Sequence, residues 1–349
     1  MTLRSLFCFA SLTFVFAFCF LTFDLASAHE VYVLDEQTIA QALAAESENP
    51  FNAYTGNKSQ FYFWALVSII MLSTIFFVSG FHLFEQRSHR ILSLLKRLAH
   101  PLVRLTVGTT LVVFGWYGVL YGPELPLQDI FGAASGIIQV LLIALGVAVL
   151  AGIYVRAAAL AAVALYAYAA STEGWHVLNY TTHLGAYFLL FILGSGEWSL
   201  VRVRERLPIL VRSFIATLHS LAFPFLRLGF GFGVIFAAVY AKFLHSELAL
   251  QVVYQYELTL YLPFEPLFIV LGALIIEFLA GLMMLLGVAV RWTALFLAFW
   301  LTMGHIFTVE MWWVHLVLYG LAVAIFCHGY DRWSLEGRFL RKNGQEPVL

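Results

Sequence analysis

Charge is what this chain has least of. Of its 349 residues only 11% are Asp, Glu, Lys or Arg, while 62% are hydrophobic. Soluble domains carry about 25% charged and about 45–50% apolar residues. The shortage excludes a soluble enzyme, a disordered chain and a nucleic-acid binder. Cysteine is also scarce: there are 3, and Cys8 and Cys19 lie in the extreme N-terminal apolar run, leaving Cys327 once that run is removed. One thiol forms neither an internal disulfide nor a C-x-x-C pair, so thiol–disulfide chemistry by this chain alone is excluded. There is no Walker motif, no G-x-G-x-x-G before a strand, no H-E-x-x-H and no soluble domain. Redox chemistry would need a partner protein or a soluble substrate meeting the chain at the membrane.

What is present is a series of long apolar runs, which points to membrane-spanning helices rather than a barrel. Residues 1–28 have the form of a signal peptide or an uncleaved anchor: Arg4, an apolar run from Leu6 to Phe23, then Ala26-Ser27-Ala28. Cleavage after Ala28 would give His29 a free α-amine beside its imidazole, a copper-chelating pair with no obvious further ligand nearby in sequence. Residues 29–60 form a short polar extracytoplasmic segment, of which 32–44 could lie along the membrane surface.

Nine spans then follow: 61–84, 102–121, 130–154, 157–170, 176–193, 225–244, 266–288, 292–307 and 312–327. The first belongs to an extra helix with a basic loop (61–99); 207–223 reads as an interfacial amphipathic helix, and 337–349 as a tail. Arg87, Arg90, Lys96, Arg97, Arg156, Arg202, Arg204, Arg206, Arg291 and Arg332 fall on one side. Glu124, Asp129, Glu173, Glu247, Glu257, Glu265 and Glu310 fall on the other. By the positive-inside rule the mature N-terminus is extracytoplasmic, the C-terminus is cytoplasmic, and the protein belongs in a bacterial-type inner membrane.

An internal repeat organises the chain. Arg104 and Gly108 recur as Arg227 and Gly231, and Gly152 and Arg156 as Gly287 and Arg291. His183 and His315 fall in the last span of each block, and Gly196-Glu197-Trp198-Ser199-Leu200 recurs as Asp331-Arg332-Trp333-Ser334-Leu335. The expected fold is thus all-α: two four-helix blocks, 100–206 and 207–336, inserted parallel to each other about an axis along the membrane normal.

Those landmarks resemble the DoxX/DoxD family of membrane proteins. The second block is the closer match, with Arg227, Gly231, Lys242, Glu277, Gly281, Gly287 and Arg291 in place. The first departs from it, with Val119 about where Lys242 stands and with Gln139 and Leu142 near the position of Glu277. The resemblance covers about two-thirds of the chain. It implies membership of a membrane-bound oxidoreductase assembly that uses quinone, together with a membrane or periplasmic redox partner.

A carboxylate at mid-span is costly and marks a functional site by default. Glu277 is the candidate proton acceptor, and Lys242 and His305 are the candidates to polarise quinone oxygens. His315 and Arg227 complete the candidate quinone-binding set, and Lys242, His305 and His315 are the expected partners of Glu277. Arg104, Arg156, Arg227 and Arg291 also read as orientation anchors at the membrane surface. No metal site is expected, and haem is disfavoured because no attachment motif is visible. A small-solute transporter and a non-catalytic scaffold remain open alternatives, since parallel repeats and a mid-span Glu fit transport equally well.

Overall fold

A computed structural model describes residues 34–80, 83–196, 199, 208–308 and 312–340. The expected signal segment 1–28, His29, Glu197, Trp198, Leu200, Arg202, Arg204, Arg206, Glu310 and residues 341–349 lie outside the described residues. The helices are α1 (Glu36–Ala44), α2 (Lys58–Gly80), α3 (Leu83–Tyr117), α4 (Ser135–Ala151), α5 (Val155–Glu173) and α6 (Thr181–Leu193). Then come α7 (Ile209–Leu218), α8 (Ala222–Val239), α9 (Ser246–Gln255), α10 (Pro266–Leu286), α11 (Val290–Thr308) and α12 (Trp312–His328), with short helical turns between them.

Among the described residues, six stretches of helix are long and apolar enough to cross a membrane: Arg90–Tyr117, Leu127–Ala151, Val155–Leu193, Ile209–Leu244, Pro266–Leu286 and Val290–Thr308. Trp313–His328 is a shorter apolar helix. The protein is a multi-pass helical membrane protein. Val155–Leu193, at 39 residues, is far longer than the ~20 that one crossing needs. Its two parts, α5 and α6, pack against each other across the 3₁₀ stretch Gly174–Tyr180.

Three expectations are corrected. The basic segment before Pro101 is not a loop: α3 runs unbroken through Pro101. Leu, Lys and Arg are strong helix formers, so the charges there ride on a helix. The acidic stretch after α3 is a two-stranded hairpin, β1 (Val119–Leu120) with β2 (Gly122–Pro126), turning at Tyr121 with φ 74°. The N-terminal segment turns its apolar side to protein rather than to lipid: Leu34 and Ala42 are buried against Tyr240, Ala241, Leu248 and Val252. Asp35 caps α1 by accepting from the Thr38 hydroxyl at 2.7 Å and the Thr38 N–H at 2.9 Å, which holds its carboxyl below the ordinary value.

Helix α3 packs on α4, and α8 packs on α10. Glycines bring each pair together. A Cβ on Gly108 would lie 2.9 Å from the Gly146 carbonyl oxygen, and one on Gly231 would lie 2.8 Å from that of Gly281. Both distances are inside contact range, so these backbones touch as small-residue crossings do. The halves of the molecule meet reciprocally: α6 packs on α8, and α12 packs on α3. Gly185 and Gly320 sit at those two crossings, against Phe225–Leu226 and Thr106 respectively.

The pairs Gly152 and Gly287, Tyr154 and Ala289, Arg156 and Arg291, Gly194 and Gly329, and Ser199 and Ser334 are all separated by the same length of chain. They share geometry as well as spacing. Gly152 (φ 76°) and Gly287 (φ 70°) end α4 and α10 in the left-handed conformation. Tyr154 (φ 48°) and Ala289 (φ 46°) repeat it two residues on. Gly152 lies against Ser199, and Gly287 lies against Ser334. Arg104 and Arg227, like Gly108 and Gly231, share a shorter separation, and the extra residues of the second half lie between α8 and α10, where α9 is found.

The four landmark arginines are not surface anchors. Arg104, Arg227 and Arg291 are buried, and all four guanidinium groups bond main-chain carbonyls near helix ends. Arg156 Nη2 donates to Ile192 O and Leu193 O at 3.2 Å each, at the end of α6. Arg291 donates to Phe326 O, to Cys327 O at 3.2 Å and to His328 O at 3.5 Å, at the end of α12. Arg227 Nη1 donates to Met284 O at 2.7 Å and Leu285 O at 2.5 Å at the end of α10, and its Nε meets Asp331 Oδ2 at 3.3 Å. Arg104 donates to Ser195 O. The last carbonyls of a helix have no partner within it and sit at the negative end of its dipole, so buried guanidinium groups are held there. All of these contacts lie at one end of the molecule, called here the arginine end.

Candidate functional site

Helix α8 does not end regularly. Its last turn widens into a π-helical segment, Tyr240–Leu244, and Lys242 sits in it. Such turns are rare and are frequently found at functional sites. Lys242 is 6% exposed, and its Nζ lies 3.1 Å from Glu277 Oε2. Glu277 stands mid-way along α10. Its other oxygen, Oε1, accepts from Trp300 Nε1 of α11 at 3.0 Å. Both carboxylate oxygens are therefore engaged: one by a cation, one by a neutral donor. The pair's side chains are 7% and 13% exposed. Three helices of the second half, α8, α10 and α11, thus converge on one carboxylate.

Of the residues singled out from sequence, Lys242 and Glu277 are brought together. His305 and His315 instead meet each other, edge to face with ring centroids 5.4 Å apart. Tyr319 lies 6.2 Å from His305 and donates to the Thr302 hydroxyl at 3.2 Å. Trp300 and His305 are five residues apart on α11, which turns them roughly 140° from each other around the helix. Arg227 is bound to the α10 carbonyls and to Asp331 at the arginine end, in a helix-capping role.

Trp300 is the member that sequence reading missed. Its signal is an asymmetry between the halves. At the common separation, Glu277 corresponds to Leu142 and Trp300 to Leu165; at the shorter one, Lys242 corresponds to Val119. Val119, Leu142 and Leu165 are all buried apolar residues. The polar triad is therefore replaced as a set.

One histidine expectation changes. His315 corresponds to Tyr180 at the common separation, so His183 and His315 are not equivalent positions. His176 and His183 do not share one regular helix face, because His176 lies in the 3₁₀ stretch Gly174–Tyr180. His183 is enclosed by the rings of Tyr121 at 4.8 Å, Phe114 at 5.6 Å, Tyr180 at 5.9 Å and Tyr187 at 6.4 Å. His176 and His245 flank the Tyr240 ring at 5.4 and 4.8 Å. Among the described residues no group of three or more His, Cys, Asp or Glu could hold a metal ion.

The end opposite the arginines is closed by the N-terminal segment. Ser246 Oγ donates to Glu48 O at 2.5 Å, and Asn57 Nδ2 donates to Glu265 Oε2 at 2.6 Å. Phe51 meets Phe243, the residue next to Lys242, at 6.2 Å. Compared with known proteins, the chain matches no family model, no curated protein and no solved structure.

Proposed function

We propose that the chain is the membrane subunit of a quinone-linked oxidoreductase, built from two parallel DoxX-like four-helix blocks in a nine-span fold. The quinone and proton-exchange site would lie in the second block. One observation carries this reading: a lysine and a glutamate paired at 3.1 Å within the apolar helices, the glutamate also held by an indole N–H. Charge kept inside a membrane bundle is retained for ion, proton or substrate handling far more often than for stability. The recurrent glycine, arginine and serine contacts support the repeat, and the reciprocal α6–α8 and α12–α3 packing supports a pseudo-twofold between blocks. An inner-membrane location, with the arginine end cytoplasmic, follows from the positive-inside pattern.

The residues present suit a quinone chemically. A lysine ammonium combines a positive charge with N–H donors, the kind of group that a reduced quinone oxygen accepts from. Quinone, when bound, supplies a carrier of two electrons and two protons. Lys242 would donate to a quinone oxygen and stabilise negative charge developing there. Glu277 would accept or return the proton, and Trp300 would fix the carboxylate plane. His305 and His315, paired beside Tyr319, would serve as a second proton-handling group.

The test is titration of the protein in nanodiscs with decylubiquinone, followed by quinone absorbance and by co-purification. Saturable binding is expected. It should weaken about tenfold or more in Lys242→Met, the scale of a lost charge-assisted hydrogen bond. Glu277→Gln should weaken it as well, and should lower the melting temperature because the buried Lys242 ammonium loses its carboxylate partner. Absence of saturable binding overturns the proposal. Solute flux in proteoliposomes without redox change would then assign a transporter, and its absence a scaffold.

A further inference from the structure

Beyond α12, the chain turns at the arginine end through Asp331, Arg332, Trp333 and Ser334 into a π-helical turn, Glu336–Leu340. Trp333 is 41% exposed. The guanidinium of Arg332 lies 5.0 Å from its ring centroid, and that of Arg338 lies 5.2 Å from it. Two like charges are thus gathered on a single indole, within roughly one Debye length of each other.

The carboxylates of this turn do not compensate them. Asp331 is buried, bound to Arg227 and to the Trp333 N–H. Glu336 is buried and accepts from the Val290 N–H at 2.9 Å, capping the start of α11. Among the described residues neither Arg332 nor Arg338 has a carboxylate within ion-pair distance. The two side chains are nonetheless positioned: Arg332 Nη2 donates to Ser220 Oγ at 2.9 Å, and Arg338 Nε donates to Arg332 O at 3.3 Å.

The neighbouring surface is amphipathic. Ser220 lies in the turn that joins α7 to α8. On α7, Ile209, Leu210 and Phe214 are exposed, 75%, 81% and 58%, with Arg212 exposed among them. A helix with exposed large apolar groups beside arginines fits the boundary between headgroups and acyl chains. An exposed indole fits the same depth.

We propose that Arg332, Trp333 and Arg338 form a binding site for the phosphate of an anionic phospholipid, whose acyl chains lie along Ile209, Leu210 and Phe214 of α7. The planar guanidinium groups would each present paired N–H donors to phosphate oxygens, and the indole would hold them apart and facing outward. The phosphate would supply the negative charge that Asp331 and Glu336, both turned inward, do not present to Arg332 and Arg338. This site is independent of the Glu277 site and stands or falls without it.

Native mass spectrometry of the full-length protein from mixed micelles, equimolar in phosphatidylglycerol and phosphatidylcholine, tests the proposal. Wild type should retain phosphatidylglycerol in clear preference. Removing each arginine charge should reduce that preference about fivefold, so Arg332→Gln with Arg338→Gln nearly abolishes it. Trp333→Leu, which keeps both charges, should lower it less. Circular dichroism checks that the variants fold. Unchanged preference in the double variant overturns the site. So does full competition by millimolar inorganic phosphate, which would assign the pocket to a soluble anion.

Discussion

Glu277 carries more of the functional argument than any other residue, and its cost to the fold is measurable. A buried charge whose partner is removed destabilises by about 3–5 kcal/mol, whereas replacing both partners with apolar groups is often neutral. Lys242→Met should therefore lower the unfolding midpoint in detergent, since it takes from Glu277 the cation at 3.1 Å. Lys242→Val with Glu277→Leu reproduces the residues found at the corresponding positions of the first half, Val119 and Leu142. That double variant should recover most of the stability lost in Lys242→Met, short of the Trp300 N–H that loses its acceptor, and should lose the proposed quinone binding. Scanning fluorimetry reads the first effect and quinone titration the second. Equal midpoints for wild type and Lys242→Met would show that the pair is solvated and that its membrane burial is not the source of its importance. Glu277 and Lys242 are legible in the sequence because charge in an apolar run stands out. Trp300 is not, because a tryptophan among 33 Phe, 16 Tyr and 9 Trp residues carries no contrast until its hydrogen bond is seen.

At the level of elements, the turns between helices read in the sequence as punctuation, and the structure makes them joints. Gly287 is left-handed, and a Cβ there would meet Ser334 and come within 2.9 Å of Arg227 Nη1. Gly287→Ala therefore incurs the strain of a side chain at positive φ and displaces the Arg227 cap of α10. A loss well above 1 kcal/mol is expected. Gly272, by contrast, is helical, and a methyl group added there would meet nothing within 4 Å. Gly272→Ala should be neutral or stabilising by about 0.4–1 kcal/mol. Thermal unfolding of the two variants side by side checks both signs, and similar losses in both would deny Gly287 its special role. The apolar periodicity that marks helices says nothing of what binds their ends. For that reason the sequence presents the arginines as surface anchors, although Arg227 and Arg291 close the ends of α10 and α12.

For the molecule as a whole, charge counting and three-dimensional contact can be set against each other. Arg332 bonds Ser220, and Ser199 bonds Gly152, so the C-terminal turn, the α7–α8 turn and the α4–α5 turn share one end. Asn57 bonds Glu265 and Ser246 bonds Glu48, which places the N-terminal segment at the other, with the loops flanking α9. This grouping is the one that the alternation of basic and acidic loops anticipates, and the charges reach it without any knowledge of packing. The sidedness of the two ends follows from the positive-inside rule alone and is open to direct test. Ser59, Ser171 and Ser213 are exposed and make suitable single-cysteine positions, because Cys327 is buried. If nine spans cross, four lie between Ser59 and Ser171, and a fifth separates Ser171 from Ser213. Ser59→Cys and Ser171→Cys should then react with an impermeant maleimide on intact spheroplasts, and Ser213→Cys only after permeabilisation. Labelling of Ser171→Cys and Ser213→Cys from the same side would remove a crossing from α5–α6 and leave the first block short of four helices. The proposed parallel arrangement of two four-helix blocks would then fail, and with it the proposed correspondence of the Glu277 site to Val119, Leu142 and Leu165.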